Sequence, residues 1–187
     1  MAVGTTLEQE VKLRFESAEA ARAAILAAGA TPLRCRRLQE DCLLDTPDER
    51  LRRRRAVLRV RLEQGKARLT YKGPVEPGPV KTREELETVV GDGEALLRIL
   101  QELGLQVSFR YQKYREEFAH EDVIVAVDET PVGTFVEIEG SPRGIEAMAA
   151  ALGRSPSDYV LDSYRSLFLQ HRETLGLRGE DMLFEEP

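Results

Sequence analysis

Tryptophan is absent from this 187-residue chain, and cysteine and histidine occur only twice each. Cys35 and Cys42 form no Cys-x-x-Cys pair. With His120 and His171 they give no visible thiolate or imidazole zinc site. Both cysteines read as structural and reduced. No run of 18 apolar residues exists, which excludes a conventional spanning helix, and Met1–Thr6 lacks the pattern of a signal peptide. A cytoplasmic location is the expectation. A positive balance is missing as well: the net charge is −6 and the pI about 5.2. That argues against a general nucleic-acid binder or an anionic-membrane binder, and leaves room for a local basic pocket. Sequence repeats and low-complexity tracts are also lacking.

What is abundant is charge. Charged residues make up 32% of the chain, beside a 42% hydrophobic fraction that suffices for a core. The excess must sit on the surface or inside a polar cavity. The length fits one domain, here residues 1–175, followed by a loosely packed acidic tail over 176–187.

The stretch from Leu7 to Phe15 shows how the charge is arranged. Leu7, Val11, Leu13 and Phe15 fall on one parity, and Glu8, Glu10, Lys12 and Arg14 on the other, which is the alternation of a strand. The pattern recurs. Leu58, Val60 and Leu62 oppose Arg59, Arg61 and Glu63. Leu69 and Tyr71 oppose Arg68, Thr70 and Lys72. Lys81, Arg83, Glu85 and Glu87 share a parity, as do Lys113, Arg115 and Glu117, although alternation there is weakened by Arg110, Gln112 and Tyr114. Asp128 opposes the apolar odd positions of 123–127, and Val136 and Ile138 oppose Phe135, Glu137 and Glu139. A further long, irregular strand runs from Thr31 to Asp45.

Helices fall between some of these strands. Ser17 caps one that runs to Ala28, with Gly29 as its stop. Glu94–Leu103 carries a stripe of Leu96, Leu97, Leu100 and Leu103. Another covers Arg143 to Leu152, and Ser163 caps a last one with Tyr164, Leu167, Phe168 and His171 inward. His120 reads as an exposed turn residue. The Arg52–Arg55 run reads as a solvated face, or as an entrance lid that attracts anions. About eight strands, mostly joined as hairpins, predict an antiparallel α+β domain.

Two details place the charged face inside. The charges are segregated by sign: Glu8-x-Glu10 and Glu137-x-Glu139 are acidic, while Arg59-x-Arg61 and Lys113-x-Arg115 are basic. Like charges about 7 Å apart on one face are unfavourable on an ordinary surface. The amphipathic helices also need an apolar sheet face. If they coat a closed barrel, the charged face lines its lumen. Carboxylates suit Mg²⁺ or Mn²⁺, and arginine forks and lysines suit phosphate, so the lumen fits a polyphosphate with a divalent metal.

These residues resemble the CYTH superfamily of triphosphate tunnel metalloenzymes. Glu8-x-Glu10-x-Lys12 matches its first-strand signature. Leu58-Arg59-Val60-Arg61, Leu69-Thr70-Tyr71-Lys72-Gly73-Pro74, Arg83 with Glu85 and Glu87, Lys113 with Arg115, Asp128, and Gly133 leading to Glu137-Ile138-Glu139 follow in the family's order. The Tyr164-Arg165-Ser166-Leu167 segment near the end is similar as well, and the likeness is nearest to the class IV adenylyl cyclase-like branch. Cys42-Leu43-Leu44 departs from it where members often carry aromatics, and the Arg52–Arg55 run is unusual.

The resemblance implies a closed eight-stranded antiparallel β-barrel with helices packed outside, a small-molecule triphosphate substrate, and Mg²⁺ or Mn²⁺. Many members are dimers, so a homodimer is an expectation of the resemblance alone. Glu8, Glu10 and Glu139 would hold one metal. Asp128, Glu137 and one of Glu85 or Glu87 would hold or orient a second metal and its nucleophile. Lys12, Arg59, Arg61, Lys72, Arg83, Lys113 and Arg115 would bind the triphosphate, and Glu85, Glu87, Asp128 and Lys12 form the catalytic set. Hydrolysis of the triphosphate is favoured slightly, because it needs only water, whereas cyclisation of ATP needs a nucleoside pocket and no base-reading motif is visible. A non-catalytic polyphosphate-binding module and a purely structural barrel with a solvated charged face are the remaining alternatives.

Overall fold

The computed structural model describes residues 6–185, so most of Met1–Thr6, read above as no signal peptide, lies outside it. In chain order the elements are β1 (Thr6–Phe15), α1 (Ala18–Ala27), β2 (Thr31–Asp45), α2 (Arg50–Arg53), β3 (Val57–Glu63), β4 (Lys66–Lys72) and β5 (Lys81–Val90). Then come α3 (Gly93–Glu102), β6 (Gln106–His120), β7 (Val123–Thr130), β8 (Gly133–Gly140), α4 (Pro142–Ala151), β9 (Tyr159–Val160) and α5 (Tyr164–His171).

The strands hydrogen-bond in the order β5-β4-β3-β2-β6-β7-β8-β1, and β1 pairs back to β5, which closes an antiparallel eight-stranded barrel. The short β9 adds to β1 at Lys12 and Leu13, beyond the point where β5 has left it. Closure removes the free edges that an open sheet would leave. The domain is α+β, as expected, with its helices outside.

Serine and aspartate side chains start the helices where the sequence suggests. Ser17 accepts from the Ala20 N–H at 3.1 Å, Asp92 from Ala95 at 2.9 Å, and Ser163 from Ser166 at 3.1 Å. Each such cap is worth about 1 kcal/mol. Helices α1 and α4 cover the outer face of β1, β7 and β8. There Val11, Leu13, Val125, Val127, Val136 and Ile138 pack with Ile25, Ile145 and Met148. At Gly140 (φ +154°) a Cβ would meet the Asp122 carbonyl oxygen at 2.5 Å, so glycine is required where β8 turns into α4. Helix α3 covers Cys42, Leu44 and Val60 with Leu96, Leu97 and Leu100. A third cluster, with Phe109, Tyr111, Phe135, Tyr164 and Phe168, lies where α5 crosses one end of the barrel.

Four expectations change. Leu103, placed in the buried stripe of α3, is 74% exposed, because it lies past the last turn that faces the sheet. Leu7, on the apolar parity of β1, is also exposed, since the helices cover only Val11 and Leu13. His120 is half-buried at the end of β6, paired with Val123, and the turn is Glu121-Asp122. The tail is not loose over 181–184: Met182 is fully buried against β6. Cys35 is exposed, Cys42 is buried and both are free thiols. Among the described residues no helix is long and apolar enough to cross a membrane.

Candidate active site: a charged tunnel

Because helices hold Val11 and Leu13 outside, the even residues of β1 turn into the lumen. Glu8, Glu10 and Lys12 are buried there. The same parity rule brings Arg59, Arg61, Lys72, Arg83, Glu85, Glu87, Lys113, Arg115, Glu137 and Glu139 to the wall of one cavity of about 270 Å³. Ten lysine and arginine side chains line it against seven glutamates. Asp41 and Asp128 pair with some of these cations from behind the wall, so the cations exceed the carboxylates only slightly.

Three ionic clusters organise this lining. In the first, Lys72 Nζ contacts Glu8 and lies 2.7 Å from Glu85, while Arg83 Nε donates to Glu8 at 3.0 Å. Beside it, Glu10 is shared by Lys81 and, at 3.4 Å, Lys12. In the second, Arg115 donates to both oxygens of Asp128 and also contacts Glu137. Lys113 Nζ donates to Asp128 at 2.8 Å, and Tyr164 Oη donates to the same carboxylate at 2.7 Å. Lys12 links the two clusters, 3.3 Å from Glu137. In the third, Asp41 takes two hydrogen bonds from Arg61, at 2.9 and 3.2 Å. Arg59 Nε is 3.4 Å from Asp41 but makes no hydrogen bond, so a buried N–H is left without an acceptor among the described residues. Buried unpaired charge is costly, and each cluster therefore carries both signs.

Titration divides the lining. Burial pushes the Glu10 carboxyl up, but Lys12 and Lys81 outweigh it and hold the group well below the usual range. Glu137 is likewise held low, against burial, by Arg115, Lys113 and Lys12. Glu139 goes the other way: burial first, then the negative charges of Glu8 and Glu10, push it to about 7. Burial also raises Glu85. Two lysines are depressed to about 8: Lys81 by burial and the neighbouring Lys12, and Lys113 by burial and Arg115. Groups so displaced in a cleft make it the candidate functional site.

One expected residue stands elsewhere. Asp128 is fully buried behind the lining, with Arg115, Lys113 and Tyr164 on its oxygens, and does not face the cavity. Glu87 sits at the rim, where Arg68 at 2.6 Å and the Thr70 hydroxyl at 3.0 Å occupy it. Asp41, Lys81 and Tyr111 were not expected as site members, and Tyr164 and Arg165 entered only through the resemblance of their segment to the family, with no role assigned. Lys81 shares the parity of Arg83, and Asp41 alternates with Cys42 and Leu44, so both carried a readable pattern. Tyr164 did not, because α5 reaches the tunnel across the end of the barrel. The Arg52–Arg55 run is exposed, and the cavity wall contains none of its members. Arg52 nonetheless lies near enough to Arg165, at the cavity wall, to lower that group further after burial has done so.

The CYTH domain model matches residues 6–155. The chain belongs to the CYTH family. Members of this family are metal-dependent. A relative from Methanocaldococcus jannaschii, provisionally named an adenylate cyclase, is 35% identical over 107 residues, which are 57% of this chain and 61% of that protein. A provisionally named adenylate cyclase from Vibrio parahaemolyticus superposes with a TM-score of 0.76 at 19% identity, over 89% of this chain and 99% of that one. A protein from Hippeastrum, first named an adenylyl cyclase and described as having a dominant triphosphatase activity, gives a TM-score of 0.67 at 21% identity, over 87% and 95%. At these identities the two structures establish the fold that this CYTH chain shares with them.

The acidic corner fits a hard divalent cation. Glu139 carries a carboxyl that Glu8 and Glu10 already make reluctant to ionise, a crowding that a cation relieves. Among the described residues no three carboxylates yet close around one point, because ammonium groups hold Glu8 and Glu10.

Proposed function

We propose that this chain is a metal-dependent triphosphatase that holds its substrate lengthwise in the tunnel and cleaves a phosphoanhydride. The observation that carries the reading is the convergence of basic side chains from β1, β3, β4, β5 and β6 on one cavity with an acidic corner. Arg59, with an unfilled Nε donor, Arg61, Lys72, Arg83, Lys113 and Arg115 bind and orient the phosphates. Asp41 aims the first two guanidiniums, and Asp128 aims Lys113 and Arg115. Asp128 thus takes the orienting role rather than that of a direct ligand. Lys12 places a charge where negative charge gathers on the leaving group. Glu8, Glu10 and Glu139 would hold Mg²⁺ or Mn²⁺, with Glu85 and Glu137 beside them. Bound there, the cation would supply charge neutralisation and activation of a water. Phosphoryl transfer requires positioning and electrostatics, so no cysteine, serine or histidine nucleophile is needed.

The relative from Methanocaldococcus favours a second reading, in which the ribose 3′-hydroxyl of ATP attacks the α-phosphorus and expels pyrophosphate. A product assay decides. Purified protein with Mg²⁺ or Mn²⁺ is given tripolyphosphate, ATP or thiamine triphosphate in turn, and the products are separated. Orthophosphate with the matching diphosphate supports hydrolysis. Cyclic AMP with pyrophosphate overturns it, and tight binding without turnover leaves a polyphosphate-binding module.

A further inference from the structure

The barrel has a seam. β6 runs from Gln106 to His120, but β7 pairs with it only from Tyr114 onward. The edge of β6 before Tyr114 faces no strand of the barrel on that side. The last described segment fills it. The Met182 N–H donates to the Arg110 carbonyl at 3.0 Å, the Gln112 N–H to the Met182 carbonyl at 2.9 Å, and the Arg110 N–H to Asp181 Oδ1 at 2.7 Å. The Phe184 ring packs on Tyr114 with centroids 5.2 Å apart. These contacts satisfy backbone groups that the seam would otherwise leave open.

The residue under this strap is Tyr111, which lines the cavity. Met182, 0% exposed, shares its cluster and is bridged to it. Tyr111 lies against the Arg59 guanidinium and packs on Tyr164 with centroids 5.9 Å apart, and Tyr164 bonds Asp128. A short path of packed groups thus joins Met182 to both phosphate-binding clusters. Neither Met182 nor Tyr164 falls within the matched family region, 6–155.

We infer that the strap over 181–184 is a positioning element of the tunnel: Met182, acting through Tyr111, holds Arg59 and Tyr164 in the arrangement that grips the substrate. The inference rests on the triphosphate reading for its kinetic test, but not for its structural one. Three variants of the full chain, Met182→Ala, Met182→Leu and Asp181→Ala, are compared with a chain stopped after Gly179. The expected result for Met182→Ala is a KM for tripolyphosphate raised about tenfold, with kcat within about threefold, the size of one charged hydrogen bond. Met182→Leu restores the KM. Amide hydrogen exchange at 110–113 rises in Met182→Ala and in Asp181→Ala. A folded Met182→Ala protein with unchanged KM overturns the inference, even if its melting temperature falls. If the parent protein neither binds nor cleaves tripolyphosphate, the triphosphate reading fails instead. Hydrogen exchange then judges the strap alone, and unchanged protection at 110–113 overturns it. Should the stopped chain not fold, Asp181→Ala, which removes one hydrogen bond, takes its place, and unchanged protection at 110–113 in that variant overturns the inference.

Discussion

On the β6–β7 side of the tunnel, Lys113, Arg115, Asp128 and Tyr164 are bonded to one another around a carboxylate that no solvent reaches. On the β1–β5 side, Glu8 is shared by Lys72 and Arg83, and Glu10 by Lys81 and Lys12, while Glu139 is left crowded by acids. The first side is a scaffold whose cations are already aimed. The second is a set of shared ion pairs that, on the proposed reading, exchange when a ligand arrives. Glu137 and Glu139 mark the boundary: two residues apart on β8, one is held well below the usual range and the other pushed to about 7.

The comparison can be broken most severely on the exchanging side. Glu10→Gln should lower metal-dependent turnover by about a thousandfold or more while the protein still folds, because the acid corner loses its central charge. Near-normal turnover in steady-state assays would remove Glu10 from the site. On the scaffold side the damage should appear in stability. Asp128→Asn strips a buried partner from Lys113 and Arg115 and should cost about 3 kcal/mol or more, read by denaturant unfolding without ligand. A cost below about 1 kcal/mol would mean that the scaffold is not preformed.

Arg59→Ala lies between the two, since Arg59 is buried yet has an unfilled donor. It should raise KM for tripolyphosphate about tenfold with a smaller change in kcat. An unchanged KM would argue that Arg59 faces no phosphate. The pH dependence is smaller. Lys113 titrates near 8 in the folded chain, below its ordinary value of 10.5, so it is charged below about 8 and neutral above. Tripolyphosphate affinity, measured by calorimetry, should therefore weaken several-fold between pH 7 and pH 9. The linked stability has the opposite sign. The unfolded chain binds more protons between about 8 and 10.5, so the ligand-free fold gains stability from Lys113 as pH rises through that window. Affinity that is flat through pH 8 would place Lys113 away from the ligand. Replacing Arg52, Arg53, Arg54 and Arg55 by glutamine should have the least effect, less than about twofold on KM at physiological salt, because the run is exposed and screened.

Much of this arrangement was legible in the chain itself. A period of two, repeated with sign-segregated charges, is enough to assign Glu8, Glu10, Lys12, Arg59, Arg61, Lys113 and Arg115 to one lumen, since a strand's parity leaves each side chain a single face. Parity does not say how deep a group lies along that face. Asp128 has the correct parity and ends behind the lining, and Glu87 has it and ends at the rim. Residues reaching the tunnel from helices, such as Tyr164, follow no strand rhythm, so parity could not mark them as site members. The weak alternation of β6 also has a cause. Gln112 and Tyr114 turn away from the lumen toward the 181–184 strap and Arg36, not toward an apolar helix, so they need not be apolar.

The tunnel's internal pairing has a consequence for thermodynamics. A basic groove on an open surface gathers dissolved ions, and its ligands draw entropy from setting those ions free. Here the counter-ions of Arg61, Lys113 and Arg115 are covalently part of the wall, at Asp41, Asp128 and Glu137. A phosphate chain entering the lumen would meet cations whose partners cannot diffuse away, and added salt would compete poorly for positions that it never held.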